Sequence, residues 1–370
     1  MVEPTVILMS QFPLPYSHIG SWSTLYRNYL SKKNNIDFIV CKKPKYSFDD
    51  VNYQIVKNNF WTSIFIKITR KGHYFFITAL DKIIKKDQKY IVQIIDNFGL
   101  LKALDNYLIK KGTRNQFYIQ YFFHGFIPDL SIDDSDYLYK KIDQLIVLTK
   151  TAKEIISKTT SNKSLIVSHL YNGIDTNKFF KVTDSQKQIL KSEFNLSDKK
   201  VFIWCSQDRP KKGLQIILDV WKLKYGDTND FVLLVIGCEA RTPHINGVKF
   251  LGEIQNDLLP KYYQMADAYL FSTQCEEGFG ISLIEALHCG CYCIASALGG
   301  VPEVLQYGKF GKLIENPADI ENWFDAIEEF TNSIDSKIFF PNDLYTSIKW
   351  NNELNKIISE AKNKFLCLKQ

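Results

Sequence analysis

Short apolar runs recur along the chain, and each ends in a polar or glycine-bearing loop. Val6–Ser10, Asp37–Cys41, Tyr53–Val56, Ile91–Ile95, Phe117–Phe123, Gln144–Thr149 and Ser164–Leu170 read as strands. Lys200–Cys205, Phe231–Cys238, Lys249–Gly252, Ala268–Phe271 and Tyr292–Ala295 continue the series. Helical spacing falls between them: from near Ser21, after Ile95 to about Lys111, over Leu258–Ala266, and from Ile281, where Leu283, Ile284 and Leu287 share a face. A last helical segment covers Leu354–Leu366. Strand, loop, helix, strand predicts βαβ units with right-handed crossovers, hence an α/β fold. Trp61–Lys86 stands apart. Its apolar positions have helical spacing but are interleaved with Lys67, Arg70, Lys71, Lys82, Lys85 and Lys86. Two readings stay open: basic amphipathic helices lying on an anionic membrane, or a core-facing helix with a solvated basic face.

Phe271–Leu305 carries the densest chemistry. A strand closes at Ser272 and Thr273, a loop follows to Gly278, and a helix starts at Ile281 with Gly278 and Gly280 before it. Ligands bind such units at the carboxyl end of the strand. The N–H groups of Ile281, Ser282 and Leu283, at a glycine-flanked helix start, form an expected anion site. Glu277 in the loop and Glu285 in the helix frame it, suited to sugar hydroxyls and to a ribose diol. By chemistry alone, an ordinary βαβ unit with solvated acids fits this stretch equally well.

Size and charge narrow the picture. At 370 residues the chain is long enough for two domains. Residues 1–170 hold 24 Lys and Arg against 14 Asp and Glu, so the overall +6 hides a basic first half and an acidic remainder. That asymmetry suggests an anionic partner, a membrane surface or a phosphorylated acceptor. No nucleic-acid recognition motif accompanies it. The eight cysteines sit mostly in apolar runs, which suits buried thiols in a reducing compartment; Cys289, Cys291 and Cys293 read as packing rather than as metal ligands. No signal-peptide pattern is present, and no apolar run reaches the roughly 18–20 residues of a spanning helix. Asp133, Asp134 and Asp136 read as a helix start.

Ser272, Glu277, Gly278, Phe279, Gly280, Glu285, Ala286 and Gly290, followed by Gly299-Gly300 and Glu303-Val304, resemble the signature of the retaining glycosyltransferases of family four, with Tyr292 where proline is usual. Asn172-Gly173-Ile174-Asp175 with Phe179, Lys212-Gly213, Lys249–Gly252 and Asp267-Ala268 extend the resemblance. It implies a GT-B fold: two Rossmann-like domains facing across a cleft, with a C-terminal helix crossing back to the N-terminal domain near Trp350. The implied limits are 1–171 for the acceptor domain, 172–345 for the donor domain and 346–370 for the returning helix. The implied activity is retaining transfer of a hexosyl unit from a nucleoside-diphosphate sugar, a UDP-sugar first among the donors, to a glycan or lipid-linked hydroxyl. The implied setting is cytoplasmic assembly of bacterial surface polysaccharide or lipopolysaccharide, with docking to the inner membrane face.

The resemblance also assigns roles. Glu277, His124 and Lys212 are the catalytic candidates. Gly20, Arg209, Lys212, Leu251, Gly278, Phe279, Gly280, Ile281, Ser282, Leu283 and Glu285 bind the donor. His124 closes an aromatic strand and precedes Gly125, which points it toward substrate; His18 is a further loop histidine. The family's arginine position falls on Gln207, with Arg209 two positions further on, and either of the two can take the arginine's role. Two cations are wanted there because the leaving diphosphate gains charge as the glycosidic bond breaks. No metal or other cofactor is expected. A nucleotide-sugar epimerase of the same fold and a non-catalytic nucleotide-sugar-binding subunit remain as alternatives.

Overall fold

The computed structural model describes residues 3–15, 21–56, 72–226, 229–240, 244–333 and 339–367. The chain divides into two compact units: Met1–Tyr171 with Trp350–Gln370, and Asn172–Lys349.

In unit 1 the strands are β1 (Thr5–Met9), β2 (Phe38–Cys41), β3 (Asn52–Ile55), β4 (Tyr90–Ile95), β5 (Phe117–Phe122), β6 (Gln144–Val147) and β7 (Ile166–His169). Its helices are α1 (Ser21–Leu30), α2 (His73–Asp81), α3 (Phe98–Lys111), α4 (Ile132–Lys141) and α5 (Lys150–Thr159). The sheet is parallel, in the order β3-β2-β1-β4-β5-β6-β7. Strand alternation sends Val92, Ile94, Ile119, Tyr121, Leu145 and Val147 to one face, where α2 and α3 cover them. Ile91, Ile95, Tyr118, Phe122 and Ile146 go to the other. Three buried glutamines interrupt that second face, and each is satisfied by its neighbour. Gln93 Nε2 donates to Gln120 Oε1 (2.9 Å), Gln120 Nε2 to Gln144 Oε1 (2.8 Å), and Gln144 Nε2 to Ser168 Oγ (2.8 Å).

In unit 2 the strands are β8 (Lys200–Cys205), β9 (Phe231–Ile236), β10 (Val248–Phe250), β11 (Ala268–Phe271), β12 (Tyr292–Ser296) and β13 (Lys312–Ile314). Its helices are α6 (Asp184–Glu193), α7 (Leu214–Val220), α8 (Leu259–Met265), α9 (Ile281–His288), α10 (Val301–Val304) and α11 (Ile320–Asn332). The order β10-β9-β8-β11-β12-β13 is again parallel.

The last helix, α12 (Ser347–Cys367), starts earlier than its apolar spacing predicts. Thr346 Oγ1 accepts the Lys349 N–H at 3.1 Å and caps the extra turn. Trp350, Leu354, Ile357, Ile358, Ala361 and Phe365 are buried in the core of unit 1, as expected for a helix that returns to the first domain.

Of Trp61–Lys86, residues 61–71 lie outside the described residues. The described part bears only on the end of this stretch. Helix α2 contains no lysine or arginine and buries Phe76, Ile77, Ala79 and Leu80, while Lys82, Lys85 and Lys86 follow its end. No helix among the described residues is long and apolar enough to cross a membrane.

Candidate functional site

Each sheet has one point where its order reverses, and in an open parallel sheet that is where ligands bind. In unit 2 it lies between β8 and β11, so the loops that follow these strands meet. They are the loops of Lys212 and Glu277. Gln274 N–H donates to Lys211 O (2.8 Å), Thr273 Oγ1 to Lys211 O (3.3 Å), and Ser272 Oγ to Gly213 O (2.9 Å). Ser272 Oγ in turn accepts Trp204 Nε1–H at 3.0 Å. Contact this close needs a glycine. Gly213 has φ +71°, and a Cβ there would lie 1.8 Å from Ser272 O.

The clamp brings Lys212 Nζ to 2.5 Å from Glu277 Oε2. Glu277 is held from its other side as well. Its carbonyl accepts Gly300 N–H at 2.7 Å, and Gly299 pairs with it in an isolated bridge. Gly299 has φ +62°, and a Cβ there would fall 2.5 Å from Glu277 O. Ser272, Thr273, Gln274 and Gly299 are positioning residues that pattern reading does not assign. The short polar run Ser272–Gln274 was the available signal.

Helix α9 starts beside this pair. Gly280, at φ +83°, turns the chain into it. The expected three free amides become two. Leu283 N–H is taken by Gly280 O at 3.1 Å, because the first turn closes on its own carbonyl. The N–H groups of Ile281 and Ser282 make no hydrogen bond among the described residues. Ser282 Oγ is fixed by Tyr269 Oη at 2.8 Å.

Glu285 lies in α9 and is 9% exposed, with no ion pair or hydrogen bond to its carboxylate among the described residues. Burial pushes its pKa from 4.5 up to about 8, with Lys178 pulling weakly the other way. A nearly buried carboxyl without a partner is costly unless a ligand supplies one.

The remaining candidates separate. Phe279 is 1% exposed and packs edge-to-face on Tyr345 at 5.2 Å, so its side chain is part of the core. Gly278 lies in the loop before α9, next to Glu277. Leu251 follows edge strand β10; its N–H is spent on Val235 O (2.8 Å) and its carbonyl takes no bond among the described residues. Gln207 and Arg209 are both exposed in the loop after β8. Gly20 and His18 lie outside the described residues.

Asp133 and Asp134 form the first turn of α4, where Asp134 pairs with Lys102 at 2.9 Å, and Asp136 pairs with Lys140. Cys289, Cys291 and Cys293 are buried, and Cys291 Sγ donates to Tyr263 O. No cluster suited to a metal occurs among the described residues.

In unit 1 the order reverses between β1 and β4. His124, after β5, stands there against a residue the sequence did not flag. Asp96 Oδ1 accepts the His124 backbone N–H at 2.8 Å, and Oδ2 faces His124 Nδ1 at 3.1 Å. Trp22 lies 6.2 Å from the imidazole, ring to ring. Asn97 caps α3 through Leu100 N–H (2.9 Å) and donates to Gln11 Oε1 (3.1 Å).

A family model described as "Glycosyl transferases group 1" matches residues 185–337. The N-acetyl-alpha-D-glucosaminyl L-malate synthase of Bacillus anthracis is 30% identical over 239 residues, 59% of this chain and 60% of that protein. The mannosylfructose-phosphate synthase of Agrobacterium fabrum is 24% identical over 203 residues, 50% and 44% of the two chains. The chain thus spans 60% and 44% of the length of these two curated relatives. Sucrose-phosphate synthase from Thermosynechococcus elongatus shares the fold, with a TM-score of 0.71 at 15% identity over 96% of this chain and 98% of that one.

Proposed function

We propose, for a chain that belongs with the group 1 glycosyl transferases and has their GT-B fold, that it moves a hexosyl unit from a nucleoside-diphosphate sugar to an acceptor hydroxyl. The observation that carries this reading is the grouping at one switch point of Lys212, Glu277, two unspent helix amides and a buried carboxyl without a partner. Lys212 and the Ile281 and Ser282 amides would meet the diphosphate, whose charge rises as the bond from the anomeric carbon to phosphate oxygen breaks. Glu285 would accept the ribose hydroxyls. Glu277 would orient hexosyl hydroxyls, sharing Lys212 with the phosphate.

Transfer with retention follows from the family resemblance. The acceptor oxygen attacks the face from which the diphosphate leaves, through an oxocarbenium-like state. Its proton passes to a donor phosphate oxygen, and no metal is called for in this scheme. Arg209, exposed and near Lys212 in sequence, is the proposed second cation. Among donors, a UDP-sugar is proposed first. Surface polysaccharide assembly in the cytoplasm is the proposed setting. The basic excess of residues 1–170 supports docking on anionic membranes, which salt should reverse. Both relatives carry an anionic group in their names, a malate and a phosphate, so an anionic acceptor is a competing reading for this chain.

The test is incubation with UDP- and GDP-sugars labelled in the hexose, with and without chelator. Labelled glycoside of retained configuration, formed equally with chelator, supports the reading. Isomerised donor alone would indicate an epimerase, and binding without turnover a non-catalytic subunit.

A further inference from the structure

We infer that unit 1 holds a second ligand site at the amino end of its sheet, a lysine-walled cavity that takes the phosphate ester of a polyol. This goes beyond the transferase reading and does not depend on it.

The cavity measures about 610 Å³, an ordinary size for a small-molecule site. It lies where β4 and β5 begin, beside the ends of α2 and α3. Both strands are six residues long, so at roughly 3.3 Å per residue about 20 Å separates it from their carboxyl ends. Its wall carries Lys85, Lys86, Lys89 and Lys111 against Asp81 and Asp87, four cations to two anions. Asp81 is already spent: it pairs with Lys111 at 3.1 Å and accepts the Tyr107 hydroxyl. Lys89 Nζ donates to Phe365 O at 2.7 Å. The ammonium groups of Lys85 and Lys86 have no hydrogen bond or ion pair among the described residues.

Helix ends do not account for these two cations. A lysine offsets a helix dipole only within the last turn. Lys111 does so for α3, but α2 stops at Asp81, four and five positions before Lys85 and Lys86. A turn at Lys86-Asp87, with Asp87 at φ +64°, carries the chain from Lys85 to Lys89 along the cavity wall. On the side of α3, Gly112 has φ +67°, and a Cβ there would meet nothing within 4 Å, so its backbone lies open. The side-chain amides of Asn115 and Gln116 follow it on the wall and are unspent among the described residues. Lysines act as point charges for a phosphate, and amides both donate to and accept from hydroxyls. A free phosphorylated polyol and a phosphatidylglycerol headgroup share that chemistry.

The test is calorimetric titration of the full chain with glycerol 3-phosphate and glucose 6-phosphate, with glycerol and glucose as uncharged controls. Flotation with phosphatidylglycerol and with phosphatidylcholine vesicles runs beside it. The phosphate esters, the phosphatidylglycerol vesicles or both should bind, and the uncharged controls should not. Lys85→Gln with Lys86→Gln should weaken that binding about tenfold or more. Lys42→Gln with Lys43→Gln removes the same charge after β2 and should leave it unchanged, as should Lys212→Ala in unit 2. All four substituted lysines of unit 1 are exposed, so these variants keep the fold. Binding of the soluble esters identifies a free phosphorylated ligand, and binding of the vesicles alone a lipid headgroup; either sustains the inference when Lys85 and Lys86 control it. An equal loss in the Lys42 and Lys43 variant would mark only the general field of a basic domain. Loss in Lys212→Ala would place the phosphate in unit 2. Either result overturns the inference, and so does the absence of binding to esters and vesicles alike.

Discussion

Lys212 Nζ lies 2.5 Å from Glu277 Oε2 across 65 positions of sequence, in unit 2. The ion pair joins the two loops at the β8/β11 reversal. Each side chain is about a quarter exposed, at 22% and 24%, so screening keeps its share of stability small. Lys212→Ala and Glu277→Gln should therefore leave the melting temperature nearly unchanged. Turnover should fall about 10²–10³-fold in either variant. The double variant should lose less than the product of the two losses, because one geometry serves both groups. Steady-state kinetics beside thermal melts decide this.

Glu285 predicts a pH dependence with a defined sign. Its folded pKa is raised by burial from 4.5 to about 8, so the native state holds a proton that the unfolded chain has lost across that interval. Stability falls as pH rises from 4.5 to about 8 and then levels. At about 1.4 kcal/mol per pKa unit the full span is roughly 4–5 kcal/mol. Glu285→Gln should remove that slope, read as the difference between the two proteins' denaturant midpoints at pH 5 and pH 8. The same variant should weaken nucleoside-diphosphate binding about tenfold, because an amide NH2 replaces a carboxyl oxygen that can accept from the ribose diol.

Gly299 sets the backbone of Glu277. An alanine there would place its Cβ 2.5 Å from Glu277 O at φ +62°, and the loop would have to move. Gly299→Ala should cost on the order of 2 kcal/mol of stability. It should also reduce kcat more than it raises KM, since Glu277 rather than the amide site is displaced.

Trp350 anchors α12 in unit 1, 5.3 Å from the Tyr26 ring and 5.9 Å from that of Tyr29. Trp350→Ala should destabilise unit 1 by about 3–5 kcal/mol in chemical denaturation.

Much of this was legible in the chain itself. The buried strands leave continuous apolar runs because a parallel sheet is covered on both faces, which is why Ile91–Ile95 and Phe231–Ile236 read clearly. Glu277, Glu285 and Lys212 could be found because a helix start and a strand end are local events. Strand β13, three residues long at the sheet edge and partly exposed, has no such pattern. Asp96 was hidden for another reason: its role comes from a partner 28 positions away and from a left-handed φ, neither of which spacing encodes. Leu283 was over-read because whether a first-turn amide is spent depends on how its own loop closes. Lys82, Lys85 and Lys86 lie past the end of α2, while Lys67, Arg70 and Lys71 lie outside the described residues.

The most direct measurement is a crystal structure of the chain soaked with uridine diphosphate. The account predicts the β-phosphate on the Ile281 and Ser282 amides within reach of Lys212 Nζ, with the ribose hydroxyls on Glu285. Nucleotide bound anywhere else, with the Lys212–Glu277 pair and Glu285 untouched, would contradict it.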